Sequence, residues 1–243
     1  MSNFLLSLTL GACAALADIF GGVVLVRANM EKSYLRYFVA LGAGFMIAAA
    51  FLEMIPESFH LSERWAPVLV LGGYCAIHFL EHTITPHFHF GEETHPGEFL
   101  SQRTSYSVAG GLAIHALFDG VAIGSGFALS SWLGWILFFA VFLHKVPEGF
   151  TVASVMLASG RSRPMALYSS VLLALTTIAG VLLINFFPAW VRAGLPLSAG
   201  VAIYVAATDL VPEVNREPGI RMALIFFAGV AIFFLLRLLA PSI

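Results

Sequence analysis

Charge is scarce in this chain. Only 11% of its 243 residues are Asp, Glu, Lys or Arg, against about 25% in soluble domains. The balance is −2 with no basic patch, which gives a nucleic-acid partner no footing. Cysteine is nearly absent: Cys13 and Cys75 both lie in apolar runs, have no metal-site spacing and exclude a disulfide framework, so they are expected in the core. No Lys or Arg precedes Arg27, so the first apolar run lacks the charged start of a secretory signal and is expected to be a membrane helix. Long polar stretches that could form a separate soluble domain are missing too. Residues 1–243 are expected to form a single transmembrane domain.

What is abundant is apolar surface, at 59% of residues. At about 20 residues per crossing, eight segments fit, at roughly 3–26, 34–56, 66–86, 105–129, 132–159, 164–187, 195–213 and 218–239. The fold class is therefore an all-α integral membrane protein of eight transmembrane helices. An even number places both termini on one side. Arg27, Lys32, Arg36, Arg103, Arg161, Arg163, Arg216 and Arg221 fall in or beside the links after the first, third, fifth and seventh segments. Arg64, Arg192 and Arg237 fall on the other side. The excess of basic residues marks the cytoplasmic face, which predicts a multi-pass protein of the cell (inner or plasma) membrane with both termini outside the cytoplasm. Trp65, Trp132, Trp135 and Trp190 sit near the outer ends of segments, as an interfacial belt would.

The fourth and fifth segments each carry His-x-x-x-acid-Gly: His115 to Asp119 and Gly120, then His144 to Glu148 and Gly149. Four residues is just over one helical turn, so each imidazole and its carboxylate share a face. The short link around Ser130 to Trp132 forces an antiparallel hairpin and brings the two pairs to similar depth. Ionisable groups in hydrocarbon cost about 2.5–3.5 kcal/mol each on insertion scales. Each pair could satisfy itself by an internal His–carboxylate bond. Alternatively, all four groups could converge on a borderline divalent cation, and the duplication favours that reading. Lys145 is either the ion-pair partner of Glu148 one turn on or a fixed cation standing where a second metal would go.

A more distant echo joins Glu53, Pro56 and Glu57 in the second segment to Asp209, Pro212 and Glu213 in the seventh. The acid-x-x-Pro-Glu pattern recurs in segments of opposite direction, as expected for an inverted repeat of helices 1–3 and 6–8 around the helix 4/5 hairpin. The plainer alternative is that each Pro-Glu ends a helix. Beyond His78, Glu81 and His82 at the end of the third segment, a cytoplasmic link at about 87–104 carries His87 and His89, which could contact metal or simply be solvated.

At these residues the chain resembles the ZIP family of divalent metal transporters. His144 to Gly149 fits the family pattern well, while Ala116, Phe118 and Asp119 depart from it in the first copy, and Lys145 replaces a ligand type. With Ala116 and Lys145 in place of ligand types that the family uses, one metal site is expected rather than two, made by His115, Asp119, His144 and Glu148. The resemblance implies Glu53 or Glu57 near the outer mouth and Asp209 or Glu213 near the release path, with Glu81, His82, His87 and His89 as further release-path candidates. Helices one, four, five and six are implied to form a moving bundle against the other four. The expected function is transport of a divalent metal into the cytoplasm by alternating access, with zinc first and iron, manganese, cadmium or cobalt as other substrates. The expected partners are that ion, the lipid bilayer and a second copy in a homodimer. Two rivals use the same residues: an intramembrane zinc metallohydrolase, and a proton or organic-cation carrier. The chain has no His-Glu-x-x-His helix, and a carrier rather than an enzyme is expected.

Overall fold

The computed structural model describes residues 2–27, 32–83, 102–215 and 220–238. Those residues form eight helices and no strand. They are α1 (Asn3–Arg27), α2 (Lys32–Ala49, Ala50–Met54 and Ile55–Leu61 in succession), α3 (Ala66–Thr83) and α4 (Gln102–Leu129). Then come α5 (Ser131–Ala158), α6 (Arg163–Phe186), α7 (Val191–Tyr204, Val205–Leu210 and Val211–Asn215, entered through a 3-10 turn at Pro188–Trp190) and α8 (Ile220–Leu238). Seven of them are long and apolar enough to span a bilayer. The exception is α3, whose last turns hold His78, Glu81 and His82. The chain is an all-α integral membrane protein.

Three expectations need correcting. Helix α4 already begins at Gln102, inside the stretch expected to be loop. Pro56 and Pro212 do not end their helices; α2 runs on to Leu61 and α7 to Asn215. A π turn precedes each proline, with the Ile55 N–H reaching back to the Ala50 carbonyl and the Val211 N–H to that of Ala206. Widening the turn there accommodates the ring and its missing donor. Both copies of the acid-x-x-Pro-Glu echo thus have the same local structure. Cys13 and Cys75 are exposed, not in the core. In a bilayer the outer face is as apolar as the interior, so an apolar neighbourhood does not place a residue inside.

The packing repeats with the same inversion. Where α1 crosses α5, a Cβ on Gly149 would strike the Asp18 carbonyl and one on Gly21 would strike that of Val146. Where α6 crosses α4, Gly120 meets the Thr177 carbonyl and Gly180 that of Leu117. The crossings of α2 with α8 (Gly44, Gly229) and of α3 with α7 (Gly73, Gly200) are built the same way. Only glycine allows backbones this close. The spacings agree as well: Glu53 follows Gly44 by nine residues, as Asp209 follows Gly200, and Arg237 follows Gly229 by eight, as Glu81 follows Gly73. Two blocks result, α1/α4/α5/α6 and α2/α3/α7/α8, meeting chiefly where α2 packs on α5 and α4 on α7.

Candidate metal centre

Helices α4 and α5 are joined by Ser130 alone, whose hydroxyl caps α5 by accepting from the Leu133 N–H at 3.1 Å. Gly126 and Gly134 let the two helices close up beside this turn. The hairpin brings the two motif copies face to face, with the His115 and His144 rings 5.6 Å apart. Donor atoms of His115, Asp119, His144 and Glu148 all lie within 4.8 Å of one another, and all four residues are buried.

The hydrogen bonds orient the rings and leave some ligand atoms without partners. A carbonyl can only accept, so His144 Nδ1 donates to the Ala140 carbonyl at 2.9 Å, which orients the ring and turns Nε2 toward Asp119 Oδ2 at 3.3 Å. His115 Nε2 is also 3.3 Å from Asp119 Oδ2, and neither His115 nitrogen has a hydrogen-bond partner. Glu148 Oε1 has none either. Buried nitrogens and a carboxylate oxygen left without partners beside these contacts are free to ligate a cation. Bonds of about 2.0 Å to a tetrahedral zinc put neighbouring donors about 3.3 Å apart, the separation seen for both His–Asp pairs. The donor set therefore fits a divalent transition metal.

Lys145 completes the cluster. Its Nζ is 2.7 Å from Glu148 Oε2, 2.9 Å from Asp119 Oδ2 and 3.5 Å from Asp18 Oδ2, with no exposure. This is more than an ion pair with Glu148 alone. Asp18, buried in α1, was not singled out from the sequence. The available signal was a lone carboxylate in an apolar span, a feature that defaults to function.

A cavity leads from His115, His144 and Glu148 past Gly111 and Thr151 to Glu81 and Asp209. Tyr204 donates to Glu81 at 2.8 Å beside it. On the other side of Asp119 lies a small apolar cavity walled by Met46, Met54, Phe118 and Leu137. Glu53 and Glu57 line neither cavity; Glu53 is paired with Arg237 at 3.0 Å. His82 sits in the exposed last turn of α3, its Nδ1 donating to the His78 carbonyl at 2.8 Å. His87, His89 and the Glu213 side chain lie outside the described residues.

Eight helices among the described residues, around a buried cluster of His, Asp and Glu side chains that could hold a metal ion, define a polytopic membrane protein. The chain belongs to the ZIP family: a family model described as "ZIP Zinc transporter" matches residues 2–110 and 100–237. It is similar to zinc transporter zipt-7.1 of Caenorhabditis briggsae, 32% identical over 107 residues covering 41% of this chain and 27% of that protein. It is also similar to zinc transporter SLC39A7 of Rattus norvegicus, 30% identical over 152 residues covering 57% and 32%. To zinc transporter ZIP9 of Xenopus tropicalis it is 24% identical over 261 positions, covering 86% and 85%. The chain spans about a third or less of the length of the first two. This is a family of zinc transporters, not of enzymes, which sets the metallohydrolase reading aside.

Proposed function

We propose that this chain moves a divalent transition metal, zinc foremost, into the cytoplasm through a mononuclear site of His115, Asp119, His144 and Glu148. One observation carries the reading: four buried donor residues from two antiparallel helices converge within 4.8 Å, and both His115 nitrogens and Glu148 Oε1 have no hydrogen-bond partner. Iron(II), manganese(II), cobalt(II) and cadmium suit the same donors. Lys145 acts as the fixed cation in the place of a second ion, so one metal is carried at a time. Two imidazoles and two carboxylates bind firmly enough to strip water from the ion yet release it.

Access alternates between the two ends. The cavity reaching Glu81 and Asp209 lies at the end where basic links cluster, so in this conformation the site opens toward the cytoplasm. Glu53 and Glu57 mark the opposite mouth. The block α1/α4/α5/α6, which carries the whole site, shifts against α2/α3/α7/α8, and the mostly apolar contact between them suits sliding.

The test is metal per chain after purification without chelator, together with zinc uptake into proteoliposomes. The His115→Ala, His144→Ala double variant is measured beside wild type. Saturable uptake with one site-dependent metal per chain is expected. Bound metal without flux, or flux untouched by the double variant, would overturn the assignment.

A further inference from the structure

We propose that Asp18 is a positioning residue for metal binding: it takes up the Lys145 ammonium when the ion is bound, and so keeps that ammonium from competing for Asp119 and Glu148. The inference rests on the transport site proposed above. Lys145 Nζ now touches two of the four metal donors, Glu148 at 2.7 Å and Asp119 at 2.9 Å. A divalent ion binding those carboxylates repels an ammonium at that distance. The ammonium cannot retreat to water, because Lys145 has no exposure. The third carboxylate within its reach is Asp18, at 3.5 Å, and neither Asp18 oxygen has a hydrogen-bond partner. Lys145 has a flexible four-carbon stem with a point charge at its tip, so a small swing transfers it from the donors to Asp18.

Charge supports the same conclusion. With all three carboxylates ionised and both imidazoles neutral, Asp18, Asp119 and Glu148 against Lys145 leave two negative charges, which one divalent ion cancels. Without Asp18 the loaded site would hold a buried positive charge, which is costly in a low-dielectric interior.

The internal repeat gives independent support. Asp18 lies three residues before Gly21, and its counterpart three before Gly180 is Thr177. Lys145 lies four residues before Gly149, and its counterpart four before Gly120 is Ala116. The carboxylate and the ammonium occur together in one half and are both missing from the other. A purely structural role for Asp18 at the crossing with α5 would not tie it to the lysine, since Thr177 presents the same backbone carbonyl to Gly120.

The experiment is zinc affinity of the full chain in detergent, by competition with a chromophoric chelator, for wild type, Asp18→Asn, Lys145→Met and their combination. The Asp18→Asn change is expected to weaken zinc binding by about tenfold or more, as coupled buried charges do, while in the Lys145→Met background it changes affinity by less than about threefold. Wild-type affinity in Asp18→Asn, or an equal loss in both backgrounds, overturns the proposal. If Asp18→Asn alone is not recovered folded, the combined variant leaves no orphaned charge, and its affinity against Lys145→Met decides. Equality supports the proposal, and a gap of about tenfold sinks it. The His115→Ala, His144→Ala variant separates the two readings. If it binds zinc like wild type, the transport site itself is wrong; if it loses zinc while Asp18→Asn does not, only the role of Asp18 falls.

Discussion

Gly149→Ala probes why each copy of the motif ends in glycine. The new Cβ would press on the carbonyl oxygen, carbon and Cα of Asp18, all backbone atoms of α1 that cannot rotate away. Relief requires α1 and α5 to separate. Overpacking of this kind costs up to about 3 kcal/mol, and the better helix propensity of alanine returns about 1 kcal/mol. The net loss of about 2 kcal/mol corresponds to a fall of about 4–8 °C in the unfolding midpoint for a chain of this size. Gly110→Ala is the matched control: it is in α4, and a Cβ there meets nothing within 4 Å. Its helix-propensity gain of about 0.5–1 kcal/mol should raise the midpoint by about 1–4 °C. Both midpoints can be read from tryptophan fluorescence of the purified protein in detergent. A Gly149→Ala midpoint at or above wild type would refute the close-approach argument.

Three further outcomes are expected. Asp119→Ala or Glu148→Ala abolishes saturable zinc uptake into proteoliposomes while the chain stays monodisperse; unaltered uptake would discard these ligands. Lys145→Asp turns a tethered cation into a third ligand-type carboxylate near Asp119 and Glu148, and elemental analysis should find two ions per chain where wild type holds one; a single ion would show that Lys145 was not holding a second position. With Cys13 and Cys75 replaced by serine, Thr151→Cys on the cavity wall should react with a membrane-impermeant thiol reagent from the cytoplasmic face, and Ala40→Cys in the packed core should not. Labelling of Thr151→Cys only from the opposite face would reverse the assigned orientation.

Much of this was legible in the sequence because two kinds of signal survive in a membrane chain. Apolar run length located the helices, and ionisable groups inside those runs, His115, Asp119, His144 and Glu148, located the cluster. Their periodicity was enough because both copies ride on helices joined by a single residue. The rest depended on geometry with no local trace. Pro56 and Pro212 read as stops because a proline usually breaks a helix, and the compensating π turns involve only backbone. Asp18 carried the same signal, a carboxylate inside an apolar run, but its pairing left no local trace, because Lys145 lies on another helix far along the chain. The cysteines were misplaced because hydropathy distinguishes membrane from water but not lipid from protein.

The match between Gly44 to Glu53 and Gly200 to Asp209, and between Gly229 to Arg237 and Gly73 to Glu81, makes these two ends of the bundle position-for-position counterparts. They differ in sign at one place. At one end the carboxylate of Glu53 is paired with the Arg237 guanidinium; at the other, Asp209 shares a cavity with a second acid, Glu81. In the language of circuits, a symmetric conductor has been given a built-in bias, as doping one side of a junction does. A fixed bias cannot drive net current, because it is the same on every cycle. On the proposed transport path, what it would set is where a cation dwells: at the end with two acids, next to the site, rather than at the end held by arginine.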